Sequence, residues 1–204
     1  MEHLYPLIFG TIVSMFGFLI PSMLSMTAVR VSLEHDRKSA VLFSLGAASV
    51  VFFQGLIAAF FVRFLMNNPE VIIGLKKASI FILLGLAIFF FIEARKKTKI
   101  KGKNKPGNSF FIGLGMSSLN QLAIPFYLVM ATVAESKGWL AFNTVTSIFY
   151  ALGTLIGAFI MFYIYVCFAE FISRRNQFIA KNINYILSAF FIILSSITAV
   201  KLFI

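Results

Sequence analysis

Six long apolar runs leave this chain little choice of fold. They cover roughly Tyr5–Val29, Ser39–Phe64, Val71–Ile92, Ser109–Ala134, Leu140–Phe168 and Phe178–Leu202. Each exceeds the roughly 20 residues that a helix needs to cross about 30 Å of hydrocarbon. Only 12% of the residues are charged, where a soluble domain carries about 25%. The chain is therefore expected to be an all-α integral membrane protein with six transmembrane helices. Residues 1–204 form a single membrane domain in this reading, and nothing is left over for a soluble one. The first run has no Lys or Arg before it and is too long for a signal peptide, so it reads as a span.

The net charge of +11 is unevenly placed. Arg30, Arg37 and Lys38 follow the first run. Arg95, Lys96, Lys97, Lys99, Lys101, Lys103 and Lys105 follow the third, and Arg174, Arg175 and Lys181 follow the fifth. The positive-inside bias then puts these loops in the cytoplasm and both termini outside. Residues 95–108 are the one linker, joining a first part (1–94) to a second (109–204). Such a basic segment sets topology and also suits anionic lipid. It lacks an aromatic residue to stack on bases, so nucleic acid is not an expected partner.

The two parts resemble each other. An offset of 104 residues aligns the first run with the fourth, and positions 8–32 share eight identities, among them Ser14/Ser118, Pro21/Pro125 and Met26/Met130. Roughly two would arise by chance in so apolar a composition. Three further residues of shift bring Gly46 onto Gly153. Three crossings per part is an odd number, so the second part enters the membrane from the opposite side. The expected architecture is two inverted three-helix repeats, as in many secondary transporters. Pro21 and Pro125 fall at matching places inside their runs. Proline removes a backbone donor and disrupts a helix interior, and paired interruptions of this kind point to a transporter's binding site. The alternative is a kink used for packing alone.

Few reactive groups accompany them. Asp36 is the single aspartate, and His3 and His35 lie outside the runs. No Cys/His cluster has metal-ligand spacing and no carboxylate pair lies at membrane depth. An enzyme, a metal site and a cofactor are therefore not expected, and a carrier of hard or borderline metal cations is disfavoured. Glu93 and Glu135 each close a long apolar run; drawn into a low-dielectric cavity, either could carry a coupling proton. Cys167, the only cysteine, reads as a buried packing thiol.

Polar residues inside the runs carry more. Asn120 and Gln121 sit just before Pro125, with Ser117 a turn behind Asn120 on one face. Ser22 and Ser25 follow Pro21, where a break would expose backbone donors at the positive end of a half-helix. Gln54 lies in the middle of the second run. The candidate substrate-binding set is therefore Pro21, Ser22, Ser25, Gln54, Asn120 and Pro125. Gly46 and the pair Gly153 and Gly157 suit close helix packing. A packing protein without transport would keep these glycines but would not need paired breaks or a mid-run asparagine.

Over essentially its whole length the chain resembles the LysE/RhtB family of small bacterial amino-acid exporters. The carrying segments are LIPSMLSMTAVRVSLEHDRKSAVLFSLGA (19–47) and GLGMSSLNQLAIPFY (113–127). The first is similar to the family's proline-glycine turn and the glycine of its second helix, here Gly46. The second is similar to the family's asparagine-containing helix, with Asn120 in place of that asparagine. The family's Pro-Gly-Pro is here Ile20-Pro21-Ser22, and its Asn-Pro-Lys is Asn120-Gln121-Leu122. The resemblance implies a secondary transporter of the bacterial inner membrane that exports amino acids or related zwitterionic metabolites. It would work by alternating access, with substrate held between the first, second, fourth and fifth spans. A homodimer is compatible with the sequence, which sets no oligomeric state.

Overall fold

The computed structural model describes residues 4–20, 22–68, 70, 84, 88, 91–92, 108–120, 122–169, 189 and 192–193. Pro21, Glu93, Gln121, residues 95–107 and nearly all of the third and sixth runs lie outside the described residues. Six helices are described, α1 (Leu4–Gly17), α2 (Met23–Glu34), α3 (Arg37–Asn67), α4 (Ser109–Ser118), α5 (Ala123–Ser136) and α6 (Thr144–Cys167). By connectivity the chain divides into two compact units, each drawing on both sequence parts. One takes residues 1–64 and 103–175, and the other takes 65–102 and 176–204. Apart from the last turn of α3, all six helices belong to the first unit.

Each of the two proline-bearing runs is two helices. The first is interrupted at residues 18–22 between α1 and α2, and the fourth at 119–122 between α4 and α5. Among the described residues, α3 (over Arg37–Leu65) and α6 are long and apolar enough to cross a membrane; α4 and α5, bent by 65° at their break, make a third span if counted as one.

Small side chains line much of the packed faces, with a few large ones such as Phe43 and Phe162 between them, and many large apolar side chains face outward. Along α3, Ala40, Ser44, Ala47, Ala48, Val51, Ala58 and Ala59 are buried while Leu42, Leu45, Phe53, Ile57, Phe60 and Phe64 are exposed. Along α6, Ala151, Thr154 and Ala158 face inward while Ile148, Leu152, Ile156 and Ile160 face outward. Small side chains let backbones approach, which drives helix association where lipid cancels the hydrophobic gain between helices. The large aliphatic and aromatic groups remain for the hydrocarbon.

The close approaches come as two reciprocal glycine seams. A Cβ on Gly153 would meet the Leu7 carbonyl oxygen, one on Gly157 the Thr11 carbonyl, and one on Gly10 the Tyr150 carbonyl. This seam joins α1 to α6. A Cβ on Gly46 would meet the Phe110 carbonyl and one on Gly113 the Phe43 carbonyl, a seam that joins α3 to α4. Residue numbers rise together along the α1–α6 seam, from Gly153 beside Leu7 to Gly157 beside Thr11, and on α3 and α4 from Gly46 beside Phe110 to Gln54 beside Ser117, so the helices within each pair run parallel. Helix α3 crosses α6 in the opposite sense. Arg37 Nη2 donates to Tyr163 Oη and Cys167 Sγ, both at 2.9 Å. Gly55 packs on Thr154, and Arg63 Nη1 donates to Thr144 Oγ1 at 3.2 Å.

Two expectations are corrected by this arrangement. Cys167 is exposed, not buried; it closes α6 at a helix end where a guanidinium can reach it. The fifth run was expected to be helical from Leu140, but α6 begins at Thr144. Gly138, with φ +68°, ends α5 in a left-handed turn, the Gly138 and Trp139 amides returning to the Glu135 and Ala134 carbonyls. Asn143 then starts α6 by accepting from the Thr146 amide at 2.8 Å.

Candidate functional site

The interruptions leave backbone groups that a continuous helix would satisfy internally. In the first break, Ser22 caps α2 and its Oγ accepts from the Ser25 amide at 3.3 Å. The two hydroxyls, Ser22 Oγ and Ser25 Oγ, lie 3.2 Å apart in hydrogen-bond contact, and Ser25 is fully buried. On the other side of the break, Tyr165 of α6 donates its Oη to the Leu19 carbonyl at 2.9 Å. Local serines and one tyrosine from a neighbouring helix thus engage polar groups of this break.

The second break is organised by α3. Gln54 is 5% exposed, and its Nε2 donates to the Ser117 carbonyl at 3.1 Å and the Asn120 carbonyl at 3.4 Å. One side-chain amide thereby holds the carbonyl end of α4. Its Oε1 has no hydrogen-bond partner, and neither does the buried Ser117 Oγ. Several helical serines and threonines in the unit bond the carbonyl four residues back, among them Thr11, Thr27, Ser44, Ser118 and Thr132. Ser117 departs from that habit. Asn120 lies in the break itself, half-buried, and its side chain makes no hydrogen bond among the described residues. Leu122 starts α5 without a side-chain cap. A buried polar atom left unsatisfied costs about 1–3 kcal/mol, so two such atoms beside an uncapped helix start are a costly arrangement for packing alone. Among the described residues, Ser147 Oγ is also buried without a partner and lies in the first turn of α6.

The prolines do not occupy equivalent places. Helix α2 begins two residues after Pro21, whereas α5 begins two residues before Pro125. Pro125 is an exposed residue of the first turn of α5, where the missing N–H has no intrahelical acceptor to lose. The second break therefore centres on Asn120, one turn earlier than its proline suggests.

Glu135 stands at the far end of α5, where its Oε2 accepts from the Phe142 amide at 2.6 Å and closes the loop into α6. Among the described residues, no group of three or more His, Cys, Asp or Glu comes together that could hold a metal ion.

Several residues without a clear sequence signal are brought into play by the structure. Ser14 Oγ and Tyr127 Oη are 2.8 Å apart and link α1 to α5, and Tyr150 Oη donates to the Tyr127 carbonyl at 3.2 Å. Tyr165 carries no local signal of its contact with the Leu19 carbonyl. Gly10 and Gly113 did have one, because an offset of 103 pairs them as 107 pairs Gly46 with Gly153.

A model of the LysE type translocator family matches residues 15–201. No curated protein and no solved structure matches the chain.

Proposed function

The chain belongs to the LysE type translocator family, and we propose that it exports amino acids or related small zwitterionic metabolites across the bacterial inner membrane. The observation that carries this reading is the second break, where Gln54 Oε1 and Ser117 Oγ are buried without partners beside the uncommitted side chain of Asn120. A zwitterion brings donors and acceptors together, and this break offers both. Asn120 is the central ligand and Gln54 the second. Ser22 and Ser25 hold the opposing break, with Pro21 and Pro125 shaping the two interruptions. Glu93 and Glu135 are the candidate proton carriers.

Alternating access would come from two inverted repeats. Support lies in the crosswise glycine seams, where the first span of one part packs on the second span of the other, and the reverse. Support for the topology lies in the ends of the first unit. The start of α3, just after the α2–α3 loop, meets the end of α6 through Arg37. At the other end, Phe9 near the chain start meets Trp139 in the α5–α6 loop, their ring centroids 6.4 Å apart. Helix ends assigned to the same side of the membrane by charge therefore lie together. Basic residues in the linker 95–108 would face anionic lipid in the cytoplasmic leaflet.

Efflux of labelled amino acids from loaded proteoliposomes tests the proposal. Flux of at least one of the twenty is expected under an imposed membrane potential or proton gradient; no flux of any would overturn it.

A further inference from the structure

We infer that Gln54 is a specificity-determining residue that reads a charged N–H donor of the cargo, so that the primary ammonium is recognised at the α4–α5 break. The inference rests on the exporter reading above and names which end of the zwitterion the second break holds.

The planar amide has a fixed polarity. Gln54 has two N–H donors on Nε2 and one acceptor on Oε1. Two backbone carbonyls, of Ser117 and Asn120, face Nε2. A carbonyl cannot donate, so turning the amide over would set oxygen against oxygen at both contacts. The orientation is therefore dictated by the network, as amide orientations must be. The consequence falls on Oε1, which is fixed at the break, buried and unpartnered. It can be satisfied only by a group that donates.

Among the described residues, no group competes for it. The carbonyls of the α4 end only accept, and Gln54 already engages two of them. Ser117 Oγ has no partner, so it is not donating to Oε1. An incoming ammonium has three N–H groups and can serve Gln54 Oε1 while the remaining donors turn to Ser117 Oγ or Asn120 Oδ1. Hydrogen bonds to an ionised donor are about twice as strong as neutral ones. A site built this way prefers an amine over an isosteric hydroxyl and rejects a group that cannot donate.

A purely structural role for Gln54 would end with Nε2, because holding the α4 carbonyls affects every cargo alike. The test is therefore a ratio. Wild-type protein and Gln54→Met, both in proteoliposomes, are compared for amino acids and their 2-hydroxy acids in the pairs alanine and lactate, leucine and 2-hydroxyisocaproate, phenylalanine and 3-phenyllactate. The wild type should favour the amine in the transported pair, and Gln54→Met should cut that preference about tenfold, the size expected for one charge-assisted hydrogen bond. Equal loss for amine and hydroxyl would overturn the inference and leave the exporter reading intact. Absence of all amino-acid flux in the wild type would overturn both. Should Gln54→Met fail to fold, the wild type alone is compared for alanine and its N,N,N-trimethyl derivative, which keeps the positive charge but has no N–H to donate. Alanine should be favoured about tenfold or more, and equal flux would overturn the inference.

Discussion

The α1–α6 pair and the α3–α4 pair are built alike and finished differently. Each is a parallel pair brought to backbone contact by reciprocal glycines, and each contains or adjoins a broken span whose freed carbonyls are met by a side chain from the partner helix. On the first side that side chain is Tyr165, whose single hydroxyl is spent on the Leu19 carbonyl, while Ser22 and Ser25 satisfy each other. On the second it is Gln54, whose amide has both a donor end and an acceptor end. The donor end closes the break and the acceptor end stays open. The same device becomes structural or ligand-ready according to whether the capping group has polar capacity left over.

The likeness of the two pairs is challenged most forcefully at the seams, which should be equivalent. Gly153→Ala and Gly113→Ala each place a methyl group on a facing carbonyl, and each should cost about 1–3 kcal/mol in thermal or denaturant unfolding in detergent. Tolerance at one seam and not the other would end the equivalence.

The breaks should then respond unequally. Asn120→Ala should leave stability near wild type, since the side chain has no partner to lose, yet lower amino-acid efflux about 10- to 100-fold. Ser25→Ala should do the opposite, weakening the fold while reducing efflux only in proportion to the folded protein. Reversed results would move the site to the first break.

Tyr165→Phe removes one hydrogen bond from the first break without changing shape. A loss of about 1 kcal/mol is expected in unfolding experiments, with the amine preference of transport untouched.

The smallest effect lies at the helix starts. Asp36 caps α3 by accepting from the Ser39 amide, whereas Asn108 starts α4 without a side-chain cap bond. The Ser39 backbone N–H, with its hydroxyl, holds the Asp36 carboxyl below its ordinary value of 3.8. A depressed folded value means that the cap's contribution is present above the ordinary value and is lost as pH falls through the lower one. Hydrogen exchange at the Ser39 amide should quicken, relative to its intrinsic rate, on acidification below about pH 4. Asp36→Asn should remove that step, and the first turn of α4 should show none.

Much of this was legible along the chain because membrane helices satisfy their backbones locally. Apolar length located the second, fourth and fifth runs as candidate spans, Pro21 and Pro125 marked two runs that are interrupted, and Gly46, Gly153 and Gly157 stood at small-residue positions. The register of the second break was not legible. Proline is equally at home before a helix and in its first turn, so Pro125 could not say that the interruption centres on Asn120. The exposure of Cys167 was hidden for a related reason, since its environment depends on Arg37, which is 130 residues away in sequence.

By itself the sequence determined that this is an all-α chain of long apolar runs, two of them interrupted near a proline, with a LysE-like pair of motifs. Those properties follow from composition, spacing and local backbone chemistry. Only the tertiary structure decided which interruption keeps unspent hydrogen-bonding groups. A buried donor or acceptor is satisfied or not according to what a distant helix sets beside it, and here Tyr165 and Gln54 set different things.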